Sequence, residues 1–180
     1  MMRPPGAPTE GLQQLASVLK PGTSMVEVGS WAGESARIWI ASGNVSSIIL
    51  VDPYLDELAV AELEHDETRE RSAEEAMASA QRVVSSFPGA QLLRMTSAHA
   101  AELLSGQEFD FVYIDANHTY ESVLEDIRLW LPLVKADGII AGHDYNPVDF
   151  PGVIQAVNEV FGVPERVFID HSWMTHKGWA

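Results

Sequence analysis

Apolar and polar positions along this chain switch repeatedly between a helical and a strand period. From Glu10 to Leu19 the apolar residues Leu12, Leu15, Ala16, Val18 and Leu19 recur at helical spacing, and Pro21-Gly22 stops that helix. Met25, Val26 and Val28 then read as a strand, Gly29 and Gly33 bracket a turn, and Ser35 to Ala41 returns to helical spacing. Ser47 to Val51 reads as a strand buried on both faces, with Asp52 at its carboxyl end. Asp56 to Phe87 is helix-prone, with a hinge or second short helix expected around His65 to Ser72 and a possible lid role for the Asp56 to Ser72 half. Strands follow at Gln91 to Met95, Phe109 to Ile114 and Gly138 to Ala141, separated by helices at Ala98 to Leu104 and Tyr120 to Trp130. A helix over Val153 to Phe161 precedes two short strands, Arg166 to Asp170 and Trp173 to Lys177. Too few residues separate those two for a helical crossover, so they should pair antiparallel.

This alternation predicts an α/β fold: a doubly wound, mostly parallel, seven-stranded sheet of Rossmann-like type, ending in an antiparallel hairpin. Nothing divides residues 1–180 into more than one domain, and Met1 to Thr9 reads as a flexible, proline-rich lead-in. In such sheets ligands gather beyond the carboxyl ends of the strands. The polar residues sit at those ends: Glu27 and Gly29, Asp52, Thr96 and Ser97, Asp115 to His118, and His143-Asp144.

Charge and composition narrow the partners. A formal charge of −15 with no basic cluster disfavours nucleic acid and anionic membrane surfaces. The absence of cysteine excludes disulfides, thiolate metal sites and a thiol nucleophile. With no apolar run near the roughly 20 residues that span a bilayer and no signal-peptide pattern, a cytoplasmic location is expected.

Three stretches resemble the class I S-adenosylmethionine-dependent methyltransferases, and within them the small group that includes macrolide and sugar O-methyltransferases. They are E-V-G-S-W-A-G (Glu27 to Gly33), F-D-F-V-Y-I-D-A-N-H-T-Y-E-S-V-L-E-D-I (Phe109 to Ile127) and A-G-H-D-Y (Ala141 to Tyr145). The resemblance implies S-adenosyl-L-methionine as cofactor, bound by Glu27, Gly29, Ser30, Trp31 and Gly33 of the first turn. Asp52 would then hold the ribose hydroxyls, followed by Pro53 and Tyr54, with Ser97 and Ala98 at the adenine and Asp115 nearby. It also implies a divalent cation, Mg or Mn, on Asp115 and Asp144 with His143 as a possible third ligand. His118 becomes the general base, and Asp115 is catalytic beside it.

The expected reaction is metal-assisted O-methylation of a small hydroxylated molecule, a sugar or catechol-like diol. Three alternatives stay open: a metal-independent methyltransferase, an NAD-binding oxidoreductase and a non-catalytic cofactor-binding subunit. The glycine spacing speaks against the oxidoreductase, since Trp31 stands where that fingerprint needs its middle glycine. Oligomeric state stays open: exposed apolar surface on Trp173, Trp179 or the N-terminal helix would support a homodimer, and terminal tryptophans folded back on the sheet would not.

Overall fold

The computed structural model describes residues 9–55 and 73–179. The lead-in to residue 8 and the Asp56 to Ser72 region, with its expected hinge at His65 and lid, lie outside the described residues. In chain order the elements are α1 (Glu10–Val18), β1 (Thr23–Val28), α2 (Glu34–Ala41), β2 (Val45–Val51), α3 (Ala73–Ser86), β3 (Ala90–Leu93) and α4 (Ser97–Leu103). They continue with β4 (Phe109–Ile114), α5 (Tyr120–Trp130), β5 (Val134–Gly142), α6 (Pro151–Phe161), β6 (Arg166–Val167) and β7 (Trp173–His176). The sheet runs β3-β2-β1-β4-β5-β7-β6, parallel from β3 to β5 and antiparallel at β7 and β6, as expected.

The central strands are apolar on both sides because both faces are covered. Ala100, Ile127, Trp130, Val157 and Phe161 bring α4, α5 and α6 onto one face. Leu12, Leu15, Trp39 and Val83 bring α1, α2 and α3 onto the other, where Trp39 meets Phe111 and Tyr113 edge-on. The apolar stripe of α1 is therefore spent on the sheet.

Two expectations are corrected at the β5 edge. β5 starts at Val134 rather than Gly138, because a register shift lets the polar Lys135-Ala136-Asp137 run pass between the Phe109↔Val134 and Phe111↔Ile139 pairs. β6 stops at Val167, since the chain turns back through the Phe168 N–H to Ser172 carbonyl bond of 2.8 Å and a left-handed His171. For Trp173, read either as exposed dimer surface or as folded back on the sheet, the second reading holds: it is 1% exposed and packs on Phe161. Trp179 alone of the two remains half-exposed, its indole N–H donating to the Val163 carbonyl. No described helix is long and apolar enough to cross a membrane.

Candidate active site

The site is assembled from the loops that leave β1, β2, β3, β4 and β5 at their carboxyl ends. The turn after β1 is shaped by Gly29, at φ +87°. A Cβ on Gly29 would stand 2.2 Å from the Asp115 carbonyl oxygen and 2.6 Å from the Ala116 Cα, so the missing side chain lets the chain leaving β4 pass against this turn. Gly33, also left-handed, opens α2 and lies against Val83 and Ala80 of α3. Two glycines of the motif thus answer to packing as well as to any ligand. Glu27 is wholly buried within β1 and accepts a hydrogen bond from the Ser35 hydroxyl.

Asp52 organises the next layer. Its Oδ2 accepts the Trp31 N–H at 2.9 Å and its Oδ1 accepts the Tyr54 N–H at 2.8 Å. Both partners are left-handed, Trp31 at φ 38° and Tyr54 at φ 51°, a conformation costly for bulky residues and characteristic of binding sites. The Tyr54 hydroxyl donates to the Trp31 carbonyl at 2.8 Å, lies 3.4 Å from the buried Ser30 hydroxyl, and its ring stacks on Trp31. Pro53 joins the two halves of this clasp. Burial pushes the Asp52 carboxyl up, and its two N–H partners act against that rise. Each carboxylate oxygen retains a further acceptor position, so this geometry accommodates ribose hydroxyls while serving first as the pin of two strained residues. Burial likewise pushes the Tyr54 phenol well above its usual range.

Beyond β3, Ser97 and Ala98 open α4. Ala98 is exposed, whereas the Ser97 hydroxyl turns to Asp126 and Trp130 of α5. Neither partner was expected near Ser97.

At β4 and β5 the structure brings Asp115, His118 and Asp144 together, with one ligand atom of each lying within 4.8 Å of the others. The convergence of Asp115 and Asp144 agrees with their closing adjacent parallel strands. His118 Nε2 stands 2.9 Å from Asp144 Oδ2 and 3.8 Å from Asp115 Oδ1. Asp144 is itself left-handed, at φ 61°. His143, the possible third ligand, contacts Asp144 Oδ1 through its Nδ1 at 2.9 Å, and His118 is the residue that completes the converging set. Two carboxylates and an imidazole make a mixed oxygen and nitrogen donor set, which fits a divalent transition ion such as Mn²⁺ better than it fits Mg²⁺.

Two features around His118 had no expectation attached. Phe150 covers the imidazole at 4.7 Å between ring centroids. Gly152 allows the first turn of α6 to press on the His118–Tyr120 main chain, a Cβ there falling 2.7 Å from the Tyr120 nitrogen. The only sequence signal for either was the N-P-V-D-F-P-G turn run.

Burial opposes a charge on His118, but the neighbouring Asp115 and Asp144 carboxylates outweigh it and raise the imidazole to about 9. Asp144 is correspondingly held below the usual carboxylate range: burial acts upward, and His118 and His143 pull it down more strongly. The folded pKa of His118 lies above its unfolded value, so its stabilisation is complete below about pH 6.5 and is lost as pH rises through about 9. Ion-free protein should therefore lose roughly 3 kcal/mol between those limits. Urea melts across that range check it, and a His118→Gln variant should show a flat profile there.

The comparisons with known proteins follow the same lines. Residues 26–145, two thirds of the chain, match the family model described as a methyltransferase domain. No curated protein sequence matches. Among solved structures, a candidate caffeoyl-CoA O-methyltransferase from Staphylococcus aureus aligns at TM-score 0.61 and 13% identity, over 91% of this chain and 78% of that one. Spermidine synthase from Thermotoga maritima aligns at 0.56 and 16%, over 93% and 61%. TrmN from Thermus thermophilus aligns at 0.56 and 16%, over 82% and 40%, so the chain spans less than two thirds of either of these two. Such identities establish a shared fold, and that fold carries more than one activity. With the family match spanning the motifs of β1, β4 and β5, the chain belongs to the methyltransferase-domain family and carries a class I S-adenosylmethionine-dependent methyltransferase domain.

Proposed function

We propose that this methyltransferase O-methylates a small hydroxylated molecule, a sugar or catechol-like diol, at the Asp115–His118–Asp144 cluster. The observation that carries the proposal is that convergence itself: two carboxylates held close repel unless positive charge lies between them. His118 meets that need with a proton in the ion-free protein. Asp115, Asp144 and Nε2 of His118 would hold a divalent cation in the same space, and the cation would supply the charge that makes a neighbouring hydroxyl acidic. Adjacent hydroxyls suit such a site because both can reach it. Nε2 of His118 lies 2.9 Å from Asp144 Oδ2 and 3.8 Å from Asp115 Oδ1, close enough to share an ion with both, which supports a holding role beside the general-base role anticipated for it. Phe150 shields the imidazole from water on one side. The O-methyltransferase name of the Staphylococcus aureus neighbour agrees with this reading. A charge of −15 argues against a nucleic-acid acceptor.

The test is calorimetric titration of Mn²⁺, then Mg²⁺, into chelator-treated protein saturated with S-adenosylhomocysteine, with Asp144→Asn alongside. Stoichiometric Mn²⁺ uptake, tighter than Mg²⁺ and lost in the variant, is the expected result. Nucleoside binding with no metal uptake would leave a metal-independent methyltransferase open to a wider range of acceptors.

A further inference from the structure

Asp144 carries its carboxylate on left-handed backbone, an uncommon conformation for any residue but glycine, and the loop around it is tied down on both sides. Before it, the His143 N–H donates to the Ile114 carbonyl of β4 at 3.1 Å. After it, the Tyr145 N–H donates to the His171 carbonyl at 3.0 Å. This second tie leads out of the site and into the turn between β6 and β7. That turn holds a left-handed residue of its own, His171 at φ 67°, whose N–H donates to the Phe168 carbonyl at 3.0 Å.

Asp170 fixes the turn. Its Oδ1 accepts the Ser172 N–H at 3.0 Å and so spans the residue from whose carbonyl Tyr145 hangs. Asp170 is 8% exposed and Ser172 is wholly buried, although a hairpin turn could be closed by asparagine or glycine without burying a carboxylate. α1 is shaped to accept it. A Cβ on Gly11 would fall 1.9 Å from Asp170 Oδ1 and 2.2 Å from its Cγ. The helix therefore takes glycine, a poorer helix former than alanine, at its second residue and lets the carboxylate lie against its backbone. Neither Gly11 nor Asp170 belongs to the Asp115–His118–Asp144 cluster.

We infer that Asp170, seated against Gly11 of α1, is a positioning residue for Asp144: it fixes the turn whose His171 carbonyl holds the Tyr145 N–H, and so sets where the Asp144 carboxylate stands. The inference rests on the reading that the cluster takes a divalent cation. Asp115 and Asp144 repel each other until positive charge lies between them, so a loop tied only to β4 would relax by letting the two carboxylates part. The tie to His171 keeps them convergent before a cation arrives, which is the condition for binding one tightly.

Two measurements on the full chain test this, with Asp170→Ala, Gly11→Ala and His171→Gly beside the unaltered protein. The first is amide hydrogen exchange without metal. The Tyr145 N–H should be protected in the unaltered protein and exchange about tenfold faster in Asp170→Ala and Gly11→Ala. The Asp115 N–H, bonded to the Val28 carbonyl at 2.8 Å, should keep its rate in both. The second is calorimetric titration of Mn²⁺ in saturating S-adenosylhomocysteine. Affinity should fall about tenfold in the same two variants, with S-adenosylhomocysteine affinity unmoved. His171→Gly keeps the carbonyl and suits the left-handed turn, so it should match the unaltered protein in both measurements. Either Asp170→Ala or Gly11→Ala suffices if the other fails to fold. Equal acceleration of the Tyr145 and Asp115 amides would reduce Asp170 to general stability and overturn the inference. So would a Tyr145 amide that is unprotected in the unaltered protein or unmoved in the folded variants, or a loss of Mn²⁺ affinity in His171→Gly. No Mn²⁺ uptake by the unaltered protein would remove the metal reading, and the exchange rates would still decide whether Asp170 holds the Asp144 loop.

Discussion

A His118→Ala variant is expected to retain its affinity for S-adenosylhomocysteine while turnover falls about a hundredfold or more, the scale of a lost acid–base or metal-holding group. The separation follows from position. In the proposed reading His118 serves the acceptor, 2.9 Å from Asp144, whereas Asp52, Trp31 and Tyr54 form their clasp through their own hydrogen bonds. Mn²⁺ affinity distinguishes the two roles that a histidine here can have. Weakened uptake is expected, since Nε2 lies within 4 Å of both carboxylates. Undiminished uptake with turnover still lost would return His118 to the role of general base. Full turnover across the pH range would remove it from the chemistry altogether.

Gly29→Ala should be the most damaging single substitution in the β1 turn, costing about 3 kcal/mol or more and lowering the melting temperature by about 10 °C. Two costs combine there. The backbone is left-handed at φ +87°, and the added methyl carbon would fall 2.2 Å from the Asp115 carbonyl oxygen. Gly22 separates them, because it has the same φ of +87° with nothing within 4 Å of an added Cβ. Gly22→Ala should therefore show the backbone cost alone, about 1 kcal/mol. Calorimetric melting of both variants checks the difference. Equal losses would mean that the close approach of the β4 loop contributes nothing. Because that loop carries Asp115, Gly29→Ala should also weaken metal uptake by a protein that still folds.

Much of the frame was legible because the buried strands are continuous apolar runs. Phe109 to Ile114 was found with its observed ends, as was α5 from Tyr120 to Trp130. The convergence of Asp115 and Asp144 followed from strand order alone. What escaped depended on contacts across the sequence. β5 looked short because Lys135 and Asp137 interrupt its apolar run; Lys135 is paired with Asp110 of β4 at 2.7 Å and Asp137 with Lys20 at 3.4 Å. Trp173 near the chain's end carried no local mark of its burial against Phe161. His118 and His143 both lay within reach of the carboxylates on paper. His118 completes the set on a loop that packs against Gly152 of α6, with Phe150, just before that helix, against its ring. Asp126 was hidden among Glu121, Glu125 and Arg128, although its position one residue before Ile127 and four before Trp130 put it on the apolar stripe.

The clasp around Asp52 also bears on how the loops leaving β1 and β2 are held. Trp31 and Tyr54 are forced into a region of backbone space that such residues shun, and a single carboxylate between them supplies both compensating bonds. That ordering is completed as the chain folds, before any ligand arrives. In the proposed reading, a cofactor meeting it would find a surface with little left to organise, so its binding energy would go into contact rather than into shaping the protein.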